Sequence, residues 1–314
     1  MTRSLTTTVL SPRLSPVALL LIGSLLCTTG CKTSEDSKAA AAQMTETAQA
    51  LSEYYASLGE LLKKTDQLYI VEEALLGLSY GDAPKKQIAD SIAEIEKREK
   101  MAKNLASLAD TFTHLTSPDA VNDAVTSATA LQTELGTIKA LNGASAEIGA
   151  LTGSTQVLLT ALQEHKEREA AKGMSKTVSG LDALFSKEMP GYESIDDQYL
   201  REAADFTRSL VQDGDVEESH FLKDTLTLFD LAPGVASPEA RKKLDALALK
   251  QIQAKSDEQK TAFNDSTVAM EKSLSEMSRR IDLVANEKPM TFRAAPQSLA
   301  TVKKHSAKAA CTTP

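Results

Sequence analysis

The chain has 314 residues, a formal net charge of −8 and a sequence pI near 5.2. An acidic chain without clustered positive charge cannot readily neutralise phosphates, so its composition argues against nucleic-acid binding. Aromatic residues make up 4% of the chain and tryptophan is absent, which argues against aromatic platforms for sugars or bases. Three cysteines are too few for a disulfide framework.

The first thirty residues have the composition of a signal peptide. They contain Arg3 and Arg13 but no acidic residue, and the apolar run VALLLIGSLLC covers residues 17–27. This run is much shorter than the ~20 residues that cross a bilayer as a permanent helix. The pattern therefore predicts that residues 1–30 are a cleaved, disordered leader.

The leader ends in Thr28-Thr29-Gly30-Cys31, which resembles the lipobox of bacterial lipoprotein precursors. The resemblance implies that diacylglycerol is attached to the Cys31 thiol and that the leader is cut just before it. It places the chain in the bacterial cell envelope, facing the periplasm or the exterior, with the membrane as a partner through the lipid. The residue directly after the cysteine is Lys32, and a residue other than aspartate at this position resembles lipoproteins sent to the outer rather than the inner membrane of a two-membrane cell. The alternative is a plain secretory signal in which Cys31 is incidental.

Helix formers dominate from Ser34 onward. Residues 34–79 predict one long helix, because apolar residues recur at alternate spacings of three and four, as in a coiled coil. A second helix is predicted from Pro84 to Leu115. Its charged run EKREK at residues 96–100, preceded by Glu94, is interpreted as a solvated face with i,i+4 pairing.

A third helix is predicted to start at Ser117-Pro118-Asp119 and to break at Asn142-Gly143. Residues 143–162 then contain one charge and three glycines. Three interpretations stay open for this segment: a buried helix whose small residues allow close backbone approach, a membrane-inserting hairpin, or a flexible polar hinge.

Met189-Pro190-Gly191 predicts a helix break. We place a subdomain boundary there, which divides one helical bundle into a first part, residues 31–189, and a second part, residues 190–288. Ser194 with Asp197 resembles a capping box for a short helix that follows. A last long helix is predicted from Ser237-Pro238-Glu239 to about Glu287. Its second half has a regular heptad-like seam of seven residues: Phe263, Thr267, Met270, Leu274, Met277, Ile281 and Val284.

The seam is expected to pack inside the bundle, plausibly on the first long helix, and homodimerisation through it is the alternative. Residues 289–314 predict a basic, disordered tail. The tail contains Cys311, which could pair with another chain or remain a free thiol.

The sequence contains no recognisable arrangement of catalytic, cofactor-binding or metal-binding residues. Glu217 and His220 have the spacing of a di-iron helix motif, but the second such motif that this site requires is missing from the sequence. Tyr54, Tyr55 and Tyr69 lie beside the first leucine stripe and are interpreted as core or boundary residues.

The sequence therefore predicts an all-α protein, an elongated helical bundle with coiled-coil-like long helices and a lipidation site at Cys31. The expected function is a binding or scaffolding module for another envelope protein, and not an enzyme. Two alternatives stay open: a membrane-perturbing or pore-forming protein acting through residues 143–162, and a small-ligand sensor or carrier using the bundle interior.

Overall fold

The computed structural model describes residues 16–77, 80–112, 118–214 and 238–286, with side chains from residue 38 onward and excluding Pro118. Within these ranges all regular secondary structure is helical, which confirms the all-α bundle. The six helices are α1 (Pro16–Leu75), α2 (Asp82–Phe112), α3 (Pro118–Leu135), α4 (Ser145–Gln163), α5 (Glu167–Asp213) and α6 (Pro238–Ala285).

The long helices pack side by side around one apolar core. Helices α1 and α2 pack against each other, as do α4 with α5 and α5 with α6. Two side-chain hydrogen bonds show the direction of α6 relative to α5, because the residue numbers of the bonded partners rise along one helix as they fall along the other. Ser186 bonds to Glu271 at 3.0 Å, and Ser275 bonds to Asp182 at 3.0 Å. These two helices are therefore antiparallel.

The predicted apolar stripes become this core. On α1 the stripe is buried from Met44 to Leu62, but Leu75 at its end is 63% exposed. The α6 seam is buried at every position except Val284, which is half-buried. The prediction that the seam packs inside the chain is confirmed. Its partner is mainly α5 and only in smaller part α1, the helix expected from the sequence.

Helix α5 continues through Pro190, so the break predicted at residues 189–191 and the capping box after it are wrong. Proline removes one backbone hydrogen bond and normally disrupts a helix. Here Phe185, Glu188 and Tyr192 on either side of it are all fully buried, and one core cluster holds residues from both sides. Tertiary packing on the flanking turns thus overrides the local preference. The helix ends at Gly214, whose φ of 81° suits a left-handed cap.

Residues 145–163 form α4, which packs against α5. The close approach predicted for this segment comes from glycines of the other helix. A Cβ on Gly173 of α5 would lie 2.8 Å from the Leu158 Cα atom, whereas nothing lies within 4 Å of a Cβ on Gly149 or Gly153. The small residues that let the two backbones meet are therefore on α5.

Candidate functional site

The most polar part of the interior surrounds Arg98. It lies in the charged run of α2 that the sequence interpretation assigned to solvent, and that interpretation is wrong for two of its members. Glu94 is 8% exposed and Arg98 is 0% exposed. Residues 94, 95, 98, 102 and 105 share one helix face through the i, i+3, i+4 period, so both charges lie on the same face as Ile95 and Leu105.

Glu188 on α5 is the ionic partner of Arg98. The guanidinium donates from Nε to Glu188 Oε2 at 2.8 Å and from Nη2 to Oε1 at 2.5 Å, a bidentate arrangement. Tyr192 donates its hydroxyl to Oε2 at 2.6 Å, and the Leu141 backbone N–H donates to Oε1 at 3.1 Å. Each of the two Glu188 carboxylate oxygens therefore accepts two hydrogen bonds, although the side chain is fully buried.

The same charges hold the connection between α3 and α4. Arg98 donates from Nη2 to the Lys139 carbonyl at 2.8 Å, and Glu94 accepts the Lys139 backbone N–H at 2.8 Å. Lys97 bridges Glu94 at 2.7 Å and the Thr137 carbonyl at 3.0 Å. The Thr137 carbonyl and the carbonyl and N–H of Lys139, which do not pair within a helix, are thus satisfied by side chains of α2.

Electrostatics in the cluster follow from burial and from these bonds. Burial alone would lower the pKa of Arg98, but the hydrogen bonds to Glu188 and the coulombic interactions with Glu188 and the neighbouring tyrosines together outweigh it and raise that pKa above its ordinary value. Burial alone would raise the pKa of Glu94, but the bonds from Lys97 and the Lys139 N–H hold it below its usual range. Both groups therefore remain charged at neutral pH.

Aromatic side chains extend the cluster toward α1 and α6. The Tyr55 and Tyr192 hydroxyl oxygens lie 3.3 Å apart, and the Tyr54 hydroxyl is 2.9 Å from Thr267 Oγ1. Their rings form a group with Phe185 and Phe263, with centroids 5.5–6.0 Å apart in edge-to-face, tilted or stacked pairs. Burial raises the pKa of Tyr54, Tyr55 and Tyr192, so all three hydroxyls stay protonated at physiological pH.

This arrangement ties elements together and leaves little capacity for acid–base work. Glu188 has its acceptor positions filled, and the Arg98 guanidinium donates to Glu188 and to the carbonyls of Glu94 and Lys139. One cluster thus links α2, α5 and the α3–α4 connection, and its tyrosines reach α1. Of the tyrosines singled out in the sequence, Tyr54 and Tyr55 are core residues, as expected, and Tyr69 is a half-buried boundary residue stacked on Tyr80.

The other sequence-predicted sites lie elsewhere. The side chain of Cys31, the Glu217–His220 motif, Cys311 and the basic tail are outside the described side chains. Among the described residues, no group of three or more His, Cys, Asp or Glu side chains has an arrangement that could hold a metal ion. No helix within the described ranges combines the length and apolarity of a membrane span.

Comparison with known proteins adds no relative. No family model, no curated protein and no solved structure matches the chain.

Proposed function

We propose that this chain is a lipid-anchored protein of the bacterial cell envelope and that its helical bundle binds or scaffolds another envelope protein. The observation that carries the proposal is the sequence Thr28-Thr29-Gly30-Cys31 at the end of a short apolar run in a basic leader. Two or more acyl chains hold a protein stably at a membrane, whereas one chain does so only reversibly.

The anchor is tested with a Cys31→Ala variant, compared with Cys27→Ala and Cys311→Ala in the same host. Wild-type protein and both controls should incorporate labelled fatty acid and sediment with membranes. Cys31→Ala should incorporate none and appear in the soluble envelope fraction. If Cys31→Ala stays as membrane-bound as wild type, the anchor is elsewhere and the proposal is wrong.

The shape of α1 supports a role in reaching a partner. From residue 31 to residue 75 the helix rises about 65 Å at 1.5 Å per residue. Four large apolar side chains are exposed near its far end: Ile70 (44%), Val71 (47%), Leu75 (63%) and Leu76 (64%). Scattered apolar residues are ordinary on a protein surface, but a group of four on neighbouring turns is the pattern of a contact surface.

The partner is tested by placing a photo-cross-linking residue at Leu76 or, as a matched control, at Val157. Val157 is an isolated apolar residue of α4 and is 54% exposed. Cross-linking in intact cells should join position 76, and not position 157, to a second envelope protein that mass spectrometry identifies. Exclusive self-cross-linking would indicate a homodimer, and exclusive lipid adducts would indicate a membrane contact. Either result would contradict the proposed partner surface.

A further inference from the structure

A second buried carboxyl group lies on α5, at Asp196. The residue is 4% exposed, and no described residue donates a hydrogen bond to its Oδ2 atom. A buried carboxylate without partners is costly, because the charged form loses its hydration and gains nothing in return.

The groups around Asp196 give it little compensation. Lys260 of α6 is already paired with the neighbouring Asp197, at 2.9 Å to Oδ1 and 3.1 Å to Oδ2. The Tyr54 hydroxyl of α1 is bonded to Thr267. The titratable groups near Asp196 are Tyr54 from α1, Lys260 from α6, and Glu193, Asp197 and Tyr199 from α5 itself.

Burial is the main cause that raises the pKa of Asp196, to about 7, and the Asp197 charge adds to it while Lys260 opposes it. The pKa values of two other carboxyl groups, Glu94 and Glu276, are lowered instead. The charge on Asp196 therefore changes in the neutral range, where most carboxylates do not titrate.

Asp196 lies shortly after the point at which α5 is weakest. Pro190 has no N–H, so the backbone bond to the residue one turn earlier is missing and the helix can bend there. Beyond this point the segment is held to the bundle by a few buried residues: Tyr192, Asp196, Leu200, Ala204 and Val211. A carboxyl group thus stands among the contacts that seat this part of the helix.

We propose that Asp196 is a pH-sensitive latch: its neutral form lets residues 193–204 of α5 seat against α1 and α6, and its ionised form releases them. The latch does not depend on the proposed function. Its sign follows from linkage. The seated state binds the proton up to about pH 7, whereas an opened, hydrated aspartate loses it near pH 4, so opening becomes easier as pH rises between these values.

Hydrogen exchange in the purified full-length chain tests the latch. Opening constants for residues 193–204 are measured at pH 5.5 and 7.5, corrected for intrinsic exchange, with residues 95–108 of α2 as an internal reference. In wild type the opening constant of the latch segment should rise by roughly 20-fold, the ratio expected for these two protonation constants. The reference segment should not share that rise.

Asp196→Asn, which keeps the shape and removes the charge, should abolish the rise and keep the segment closed at pH 7.5. Asp197→Asn is the comparison: it removes only the smaller, coulombic contribution, so it should lower the rise in part and retain the share that comes from burial of Asp196. An unchanged wild-type opening constant, an equal rise in the α2 reference, or a rise in Asp196→Asn as large as in wild type would each overturn the latch. Failure of Asp196→Asn to fold would also overturn it, because the neutral side chain is expected to be the better-tolerated one.

Discussion

Glu188 and Asp196 lie about two turns apart on α5, and their carboxyl groups differ in the hydrogen-bond donors that surround them. Glu188 is fully buried, with a bidentate Arg98, a tyrosine hydroxyl and a backbone N–H as donors. Asp196 is almost as deeply buried, but its Oδ2 lacks a donor among the described residues. A buried carboxyl group on this helix is thus fully supplied with hydrogen-bond donors at one level and lacks a donor to one oxygen at the next.

The difference shows that the hydrogen-bonding partners of a buried carboxyl group, more than its burial, decide whether its charged form is stabilised. Desolvation disfavours the charged form at both levels, but charge-assisted hydrogen bonds offset it only at Glu188. The satisfied Arg98–Glu188 pair acts as a brace between α2 and α5. An unsatisfied carboxyl makes the local packing depend on pH.

Removing Arg98 should break the brace and give the largest effect. Arg98→Ala leaves Glu188 buried without its cation, which typically costs about 3–5 kcal/mol of unfolding free energy. Chemical denaturation at pH 7 measures the loss. The connection at residues 137–141 should also gain hydrogen exchange, because Arg98 holds the Lys139 carbonyl.

Lys100→Ala is the control for this prediction. Lys100 belongs to the same charged run but faces solvent, so its substitution should change stability by less than about 0.5 kcal/mol. Equal losses in the two variants would mean that the run contributes through its helix propensity and net charge, and that the brace is unimportant.

Tyr192→Phe should have the next largest effect. It deletes a buried hydroxyl that donates to Glu188 at 2.6 Å, and hydrogen bonds to charged groups contribute about 1.5–3 kcal/mol. Tyr69→Phe is the comparison, because its hydroxyl accepts a longer bond, 3.3 Å, from the neutral Gln198 amide at a half-buried position. A Tyr69→Phe loss equal to or larger than the Tyr192→Phe loss would contradict the idea that the Glu188 cluster is the stronger polar contact.

Glu94 of the Arg98 cluster and Asp196 should also respond to pH with opposite signs. The folded-state pKa of Glu94 is depressed, so its contribution is present above pH ~4.3 and is lost as pH falls through the folded value. The difference in unfolding free energy between wild type and Glu94→Gln should therefore shrink toward acid. Because the pKa of Asp196 is raised to about 7, Asp196→Asn should be more stable than wild type at pH 8 and lose this advantage toward pH 5.

Urea titrations at pH 3, 5, 7 and 8 on the three proteins measure both differences. Comparing each variant with wild type at the same pH removes the contributions of all other titrating groups. Parallel trends for the two variants would refute the contrast, since both carboxyls would then experience a similar environment.

The sequence is informative about the helices because apolar periodicity is a local property. It predicted the α1 stripe correctly from Met44 to Leu62 and the seam of α6, since each follows from residues three and four apart. It was wrong at Pro190, where packing by Phe185 and Tyr192 outweighs the local cost of proline. Packing of this kind depends on residues distant in the chain and has no local signature.

The polar cluster was missed for a related reason. A run of mixed charges usually faces solvent, and nothing near Arg98 in the chain indicates Glu188, which lies ninety residues away. One signal was available: positions 94 and 98 share the helix face of Ile95, Ala102 and Leu105. Following the apolar face through the charged run would have predicted that two charges are buried, although not which residues pair with them.

Lys260→Ala should have the smallest effect and is the sharpest check on the contrast. Lys260 is the cation whose charge lowers the pKa of Asp196. Its ammonium group is nevertheless bonded to Asp197 at the surface, where both side chains are about half exposed. Exposed pairs contribute little and are screened by salt. We therefore expect a denaturation midpoint close to that of wild type, with any shift disappearing in 0.5 M salt. A salt-resistant loss as large as that of Arg98→Ala would mean that Lys260 serves Asp196 as Arg98 serves Glu188, and the two levels of α5 would then be alike.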